Sequence, residues 1–149
     1  MSPTASPPAG LNDAGNAGNT DNAALLELAR QAAGNAYAPY SDFQVGAALL
    51  LSDGTVVTGC NVENASYGLA ICAERTAATR MVVEGGARHI VKAAVIGLKA
   101  KPCFPCGACR QVLNEFGCEQ VIVEGENGPE VYPFEQILPH GFGPADLAK

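Results

Sequence analysis

Apolar positions recur along this chain with two different periods, and the switches between them divide it into elements. Leu25, Leu28, Ala29 and Ala32 fall at i, i+3, i+4 and i+7, the stripe of an amphipathic helix. That helix is expected from Asp21 to about Asn35, with Thr20 or Asp21 as its cap and Gly34 as its stop. A turn at Tyr37-Ala38-Pro39-Tyr40-Ser41 follows. Val45 to Leu51 is then an almost unbroken apolar run, which predicts a strand covered on both faces. Ser52-Asp53-Gly54-Thr55 is a hairpin signal, and Val56 to Asn61 is the returning strand. Val62 to Ile71 reads as a loop. Cys72 to about Glu84 reads as a helix stopped by Gly85-Gly86, and His89 to Leu98 as a buried strand. Lys99 to Pro105 is a loop, and Cys106 to Phe116 a helix closed by Gly117. Gln120 to Val123, a turn at Glu124 to Gly128, and Glu130 to Phe134 make a second, antiparallel hairpin. Pro133 places its last strand at a sheet edge. Phe134 to Leu138 is a short helix, and a tail runs on through Leu147.

This order predicts an α/β fold: one mixed sheet of about five strands with helices on both faces, a three-layer α/β/α sandwich. The 149 residues fit one such domain over 21–149. Residues 1–20 are mostly Pro, Ala, Ser, Gly and Asn. They lack the apolar area to offset chain entropy, and a disordered tail is expected there.

Composition narrows the function. A net charge of −6 argues against a protein that wraps a nucleic-acid backbone, yet leaves a small uncharged ligand open. No apolar run reaches membrane-spanning length. The cysteines stand at 60, 72, 103, 106, 109 and 118. Residues 1–20 carry neither the basic nor the apolar region of a secretory signal, so the expectation is a reducing cytoplasm. There, cysteines bind metal or do chemistry rather than form disulfides.

The chemistry gathers at Cys72-Ala73-Glu74-Arg75 and at Pro105-Cys106-Gly107-Ala108-Cys109-Arg110-Gln111. Cys72, Cys106 and Cys109 read as three thiolate ligands of one zinc ion, which leaves a tetrahedral ion's fourth corner open to water. Glu74, two residues from a ligand, is placed to work beside that corner as a proton shuttle. Both motifs open helices, where free N–H groups and the positive end of the dipole favour thiolate. Arg75 and Arg110 are expected to offset the negative charge by hydrogen-bonding sulfur from behind the ligands. Three rivals stand beside this reading. Cys103-x-x-Cys106-x-x-Cys109 opens an iron–sulfur run, but that run needs cysteine where Leu113 stands. A closed structural zinc with Cys60, Cys103 or Cys118 as fourth ligand would leave Glu74 idle. The third is a redox dithiol at Cys106 and Cys109.

These two motifs resemble the zinc-dependent deaminases of nucleobases and nucleosides, whose pattern is His or Cys-x-Glu followed by Pro-Cys-x-x-Cys. Phe43-Gln44-Val45-Gly46-Ala47-Ala48, Asn61-Val62-Glu63-Asn64-Ala65-Ser66-Tyr67 and Phe142-Gly143-Pro144 make the chain similar to the small homotetrameric cytidine deaminases with an all-cysteine site. The resemblance runs from about Ala24 to Leu147; residues 1–20 and the pair Cys103-Phe104 depart from it. It implies hydrolysis of cytidine or deoxycytidine to uridine or deoxyuridine with loss of ammonia, in pyrimidine salvage. It implies that Phe43 packs near the pyrimidine, that Asn61 and Glu63 hydrogen-bond the ribose hydroxyls, and that the Ala73 N–H donates to the pyrimidine carbonyl. It also implies that Ala65 and Tyr67 approach the ribose of a neighbouring subunit's site, and that Phe142 stacks on a base bound in another subunit. Other readings are a deaminase of another cytosine nucleoside, such as a nucleoside antibiotic, and a non-catalytic zinc module. A polynucleotide substrate is disfavoured, because no basic aromatic groove is evident.

Overall fold

The computed structural model describes residues 21–148; the expected tail at 1–20 lies outside the described residues. Helix α1 spans Asn22–Ala33 and is capped by Asp21, whose Oδ1 accepts from the Ala23 N–H at 3.0 Å. It ends two residues short of the expected Asn35, and Gly34 keeps ordinary right-handed geometry there. Strands β1 (Val45–Leu51) and β2 (Val56–Cys60) form the first hairpin, and α2 is Ala73–Glu84. Then come β3 (Ile90–Gly97), α3 (Gly107–Glu115), β4 (Gln120–Gly125), β5 (Gly128–Pro133) and α4 (Phe134–Ile137). Two single turns of 3-10 helix, Tyr67–Leu69 and Pro144–Leu147, stand where the sequence suggested loop and tail.

The sheet has five strands in the order β2-β1-β3-β4-β5. β3 and β4 are parallel and the other neighbours antiparallel, so the sheet is mixed. β5 forms one edge, where Pro133's missing N–H costs no ladder bond. Its turn is tighter than expected. Gly125 pairs with Gly128, leaving only Glu126-Asn127 to reverse the chain, and Gly128 takes the φ of +120° that this requires.

The two faces of β1 belong to two cores. Ala47, Leu49 and Leu51 pack with α2, α3 and α4 through Ala77, Met81, Leu113 and Phe134. Ala48 and Leu50 pack with α1 through Leu25, Leu26 and Ala29. This alternation is the physical reason that β1 reads as a continuous apolar run. β3 alternates likewise until a bulge opposite Leu50 and Leu51 skips Val91. Ile90 thereby joins Ala93 in the α2–α3 core, and Lys92 turns to the α1 side, where its Nζ meets Asn22 Oδ1 at 3.0 Å.

Two glycines set how closely helices approach the sheet. A Cβ at Gly46 would lie 1.8 Å from Ala29 O in α1. A Cβ at Gly59 would lie 2.5 Å from Ala77 N and 2.6 Å from Ala73 O. The first turn of α2, which carries Ala73 and Glu74, therefore lies directly against β2.

Candidate metal centre and nucleoside site

Cys72 is the residue immediately before α2, and Cys106 the residue immediately before α3. Both have extended backbone, and neither side chain caps its own helix, so both sulfurs are left to face one another. Cys109 follows one turn into α3 and is fully buried. Packing of α2 and α3 on the same face of the sheet brings the three ligand atoms within 4.8 Å of one another, and Cys72 Sγ lies 3.8 Å from Cys106 Sγ. Sulfurs held at ~2.3 Å by one tetrahedral zinc stand about 3.8 Å apart. The donor set thus fits zinc in chemistry and in spacing. Among the described residues no fourth cysteine, histidine or carboxylate joins the group. Cys60, Cys103 and Cys118 stand outside it as free thiols, which removes the closed four-ligand site.

The electrostatics favour negative charge at this cluster. The Cys72 thiol is pulled down to about 5, first because the Cys109 thiol hydrogen-bonds it and further by Arg75 and Cys106, against the cost of burial. The same contact with Cys72, and then burial, pushes Cys109 up. Arg75 Nη2 donates to Cys72 Sγ at 3.9 Å and to Ala70 O at 3.2 Å, while its buried Nε makes no hydrogen bond. Arg110 turns instead to main-chain oxygens, with Nε 2.8 Å from Pro105 O and Nη1 2.8 Å from Ile137 O. It braces the segment leading into Cys106 against the end of α4.

Glu74 is the second residue of α2 and only 3 % exposed. Burial raises its pKa, and the charge of Cys72 adds to that; the Cys109 hydrogen bond and Arg75 pull the other way. A buried carboxyl that resists ionisation is suited to taking a proton and giving it back. Ala73 opens the helix, where geometry leaves its N–H without an intrahelical acceptor.

The remaining expected residues lie on neighbouring loops. Asn61 bridges Phe43 and Val45: its Nδ2 donates to Phe43 O and its Oδ1 accepts from Val45 N, both at 2.8 Å. The tip of the Phe43 ring lies over Gly97, beside Cys103, at the start of the loop that leads to Cys106. Glu63 accepts from the Tyr40 and Ser41 N–H groups at 3.0 and 3.1 Å and from the Ser41 hydroxyl, and the Ser41 bonds depress its pKa. Tyr40, Ser41, Glu63, Asn64, Tyr67 and Ala70 line a cleft of about 330 Å³, at the lower end of small-molecule sites. No cysteine of the cluster lines this cleft, but Arg75 ties its Ala70 wall to Cys72. Ala65, Tyr67 and Phe142 are exposed. The sequence reading missed Tyr40 and Ser41 as partners of Glu63. Ser41's own turn, in which its Oγ accepts from Phe43 N, was the available signal.

Comparison with known proteins gives the same direction. The family model for the cytidine and deoxycytidylate deaminase zinc-binding region matches residues 19–124. A cytidine deaminase from Mycobacterium tuberculosis is 46 % identical over 121 residues, covering 81 % of this chain and 89 % of that protein. One from Halalkalibacterium halodurans is 55 % identical over 95 residues, covering 64 % of this chain and 71 % of that protein. Among solved structures, a cytidine deaminase from Burkholderia pseudomallei superposes with a TM-score of 0.73 at 47 % identity, covering 80 % of this chain and 97 % of that one. Three sulfurs spaced for zinc, a buried carboxyl beside them, and a match that spans both motifs agree: the chain belongs to the cytidine and deoxycytidylate deaminase family.

Proposed function

We propose that this chain hydrolyses cytidine and deoxycytidine to uridine and deoxyuridine, releasing ammonia, in pyrimidine salvage in the cytoplasm. The observation that carries the reading is Glu74, buried beside three sulfurs that lack a fourth protein ligand among the described residues. Cys72, Cys106 and Cys109 would hold the metal. Zinc held there would supply Lewis acidity, the chemistry that makes water a nucleophile near neutral pH.

The chain's own residues do the rest. Glu74 accepts the first proton of the attacking water and delivers it to ring N3, which makes C4 electrophilic. The water oxygen bonds to C4. Glu74 then carries the second proton to the amine, the C4–N bond breaks, and ammonia leaves with the carbonyl in its place. The Ala73 N–H holds the ring carbonyl, Phe43 packs on the pyrimidine, and Asn61 and Glu63 hold the ribose hydroxyls. Arg75 offsets thiolate charge at Cys72, and Arg110 braces the chain entering Cys106.

The working unit in this reading is a homotetramer with shared sites, in which Ala65, Tyr67 and Phe142 act in neighbouring subunits. What supports it is the exposure of Tyr37, Val62 and Ile71, whose main chains pair side by side, and of Tyr67 and Leu69 in the loop between Val62 and Ile71. Addition of cytidine to the zinc-loaded protein tests the activity. An ultraviolet decrease with stoichiometric ammonia is expected; neither change, with zinc in place, would reduce the chain to a structural zinc module.

A further inference from the structure

Phe142 is 57 % exposed, yet its carbonyl is held from two sides. Gln111 Nε2 donates to Phe142 O at 2.7 Å and Asn114 Nδ2 donates to the same oxygen at 2.8 Å. Gln111 and Asn114 are three positions apart on α3, so they share one outward face of that helix. Two donors use both lone pairs of the carbonyl. The flanking glycines make room for this grip: a Cβ at Gly143 would lie 2.9 Å from Asn114 Nδ2, and one at Gly141 2.8 Å from Leu138 Cδ2. Gly143 N in turn donates to Asp146 Oδ2 at 2.7 Å, fixing the chain beyond.

We propose that Gln111 and Asn114 are positioning residues, a two-donor clamp that presents the Phe142 ring to stack on a pyrimidine nucleoside. The proposal rests on the reading of Phe142 as a residue that works in another subunit's site. An unheld segment flanked by two glycines would lose backbone freedom each time the ring met a base, and that loss would weaken binding. The clamp removes it in advance. Its origin on α3 has a second consequence. The same helix turns Cys109 inward as a metal ligand and Gln111 and Asn114 outward. Each subunit's zinc helix therefore sets the aromatic cover of a neighbour's substrate.

The test uses the zinc-loaded enzyme and three variants, Gln111→Ala, Asn114→Ala and Phe142→Ala, measured for KM, kcat, zinc content and uridine affinity by calorimetry. Each clamp variant is expected to raise KM for cytidine and Kd for uridine about fivefold, the worth of one hydrogen bond, with kcat and zinc content held. In the Phe142→Ala background the same two substitutions are expected to change neither constant. A merely structural role predicts the opposite: additive losses whether or not the ring is present. Gln111 is exposed, so its variant keeps the test open even if Asn114→Ala fails to fold. Phe142→Ala raising KM while the clamp variants leave it unchanged would overturn the clamp alone. Phe142→Ala leaving KM unchanged would overturn the clamp together with the shared-site reading.

Discussion

Cys72 Sγ and Cys106 Sγ lie 3.8 Å apart although 34 positions separate them along the chain. Each stands just before a helix, and both helices pack on one face of the sheet. The fold therefore brings two positive helix ends to one point and places sulfur at each. That convergence sets two of the three sulfurs side by side at one point, as a three-thiolate metal site requires.

If those sulfurs hold the metal, removing one removes it. Cys106→Ala and Cys109→Ala are each expected to purify with little zinc and no measurable turnover. Cys118→Ala, at a buried thiol outside the group that bonds Gln120 O, is expected to keep a full equivalent of zinc. Metal analysis of the purified variants decides it, and full zinc in Cys106→Ala would refute this ligand set.

Glu74→Gln keeps the shape of the side chain and loses its proton chemistry. Zinc content is expected to stay at one per chain, while kcat falls by about a hundred- to ten-thousandfold, the usual worth of a positioned acid–base group. Turnover near that of the unmodified enzyme would exclude the shuttle.

Gly59→Ala probes the approach of α2 to β2. The new Cβ meets main-chain atoms, Ala77 N and Ala73 O, that cannot rotate away. A loss of about 1–3 kcal/mol of stability is expected, with a fall in kcat because Glu74 moves with its helix. Thermal denaturation and steady-state kinetics measure both. An unchanged Tm would mean that the helix shifts without cost.

Ser41→Ala tests the loop that holds Glu63. The Glu63 pKa is depressed in the folded protein, chiefly by Ser41, so its contribution is present above the unfolded value and is lost as pH falls through the lower folded value. The Tm gap between the native chain and Ser41→Ala is expected to be full near pH 6 and to narrow on acidification through the carboxylate range, leaving only the part due to the lost Ser41 Oγ bond to Phe43 N. A gap that widens on acidification would contradict the assignment.

Much of this was legible in the residues themselves. The apolar run of β1 announced a strand buried on both faces because its two cores, around α1 and around α2 and α3, each need alternate residues. The cysteine spacing announced the metal because ligand chemistry tolerates few substitutes. Other features were hidden for physical reasons. The bulge at Val91 leaves little mark, because apart from Lys92 the run is apolar on both faces. The approaches at Gly46 and Gly59 depend on a partner helix distant in sequence, and glycine within a strand reads only as weak pairing. The hold of Gln111 and Asn114 on Phe142 joins polar residues that local pattern assigns to solvent. Tyr67–Leu69 and Pro144–Leu147 are single turns, too short to show a period.

Zinc K-edge X-ray absorption on the purified enzyme, before and after adding a pyrimidine nucleoside, tests the central claim most directly. Three sulfurs at ~2.3 Å and one oxygen or nitrogen at ~2.0 Å are expected, the light atom alone changing when the nucleoside binds. Four sulfurs around the ion, or a shell that ignores the nucleoside, would contradict the account.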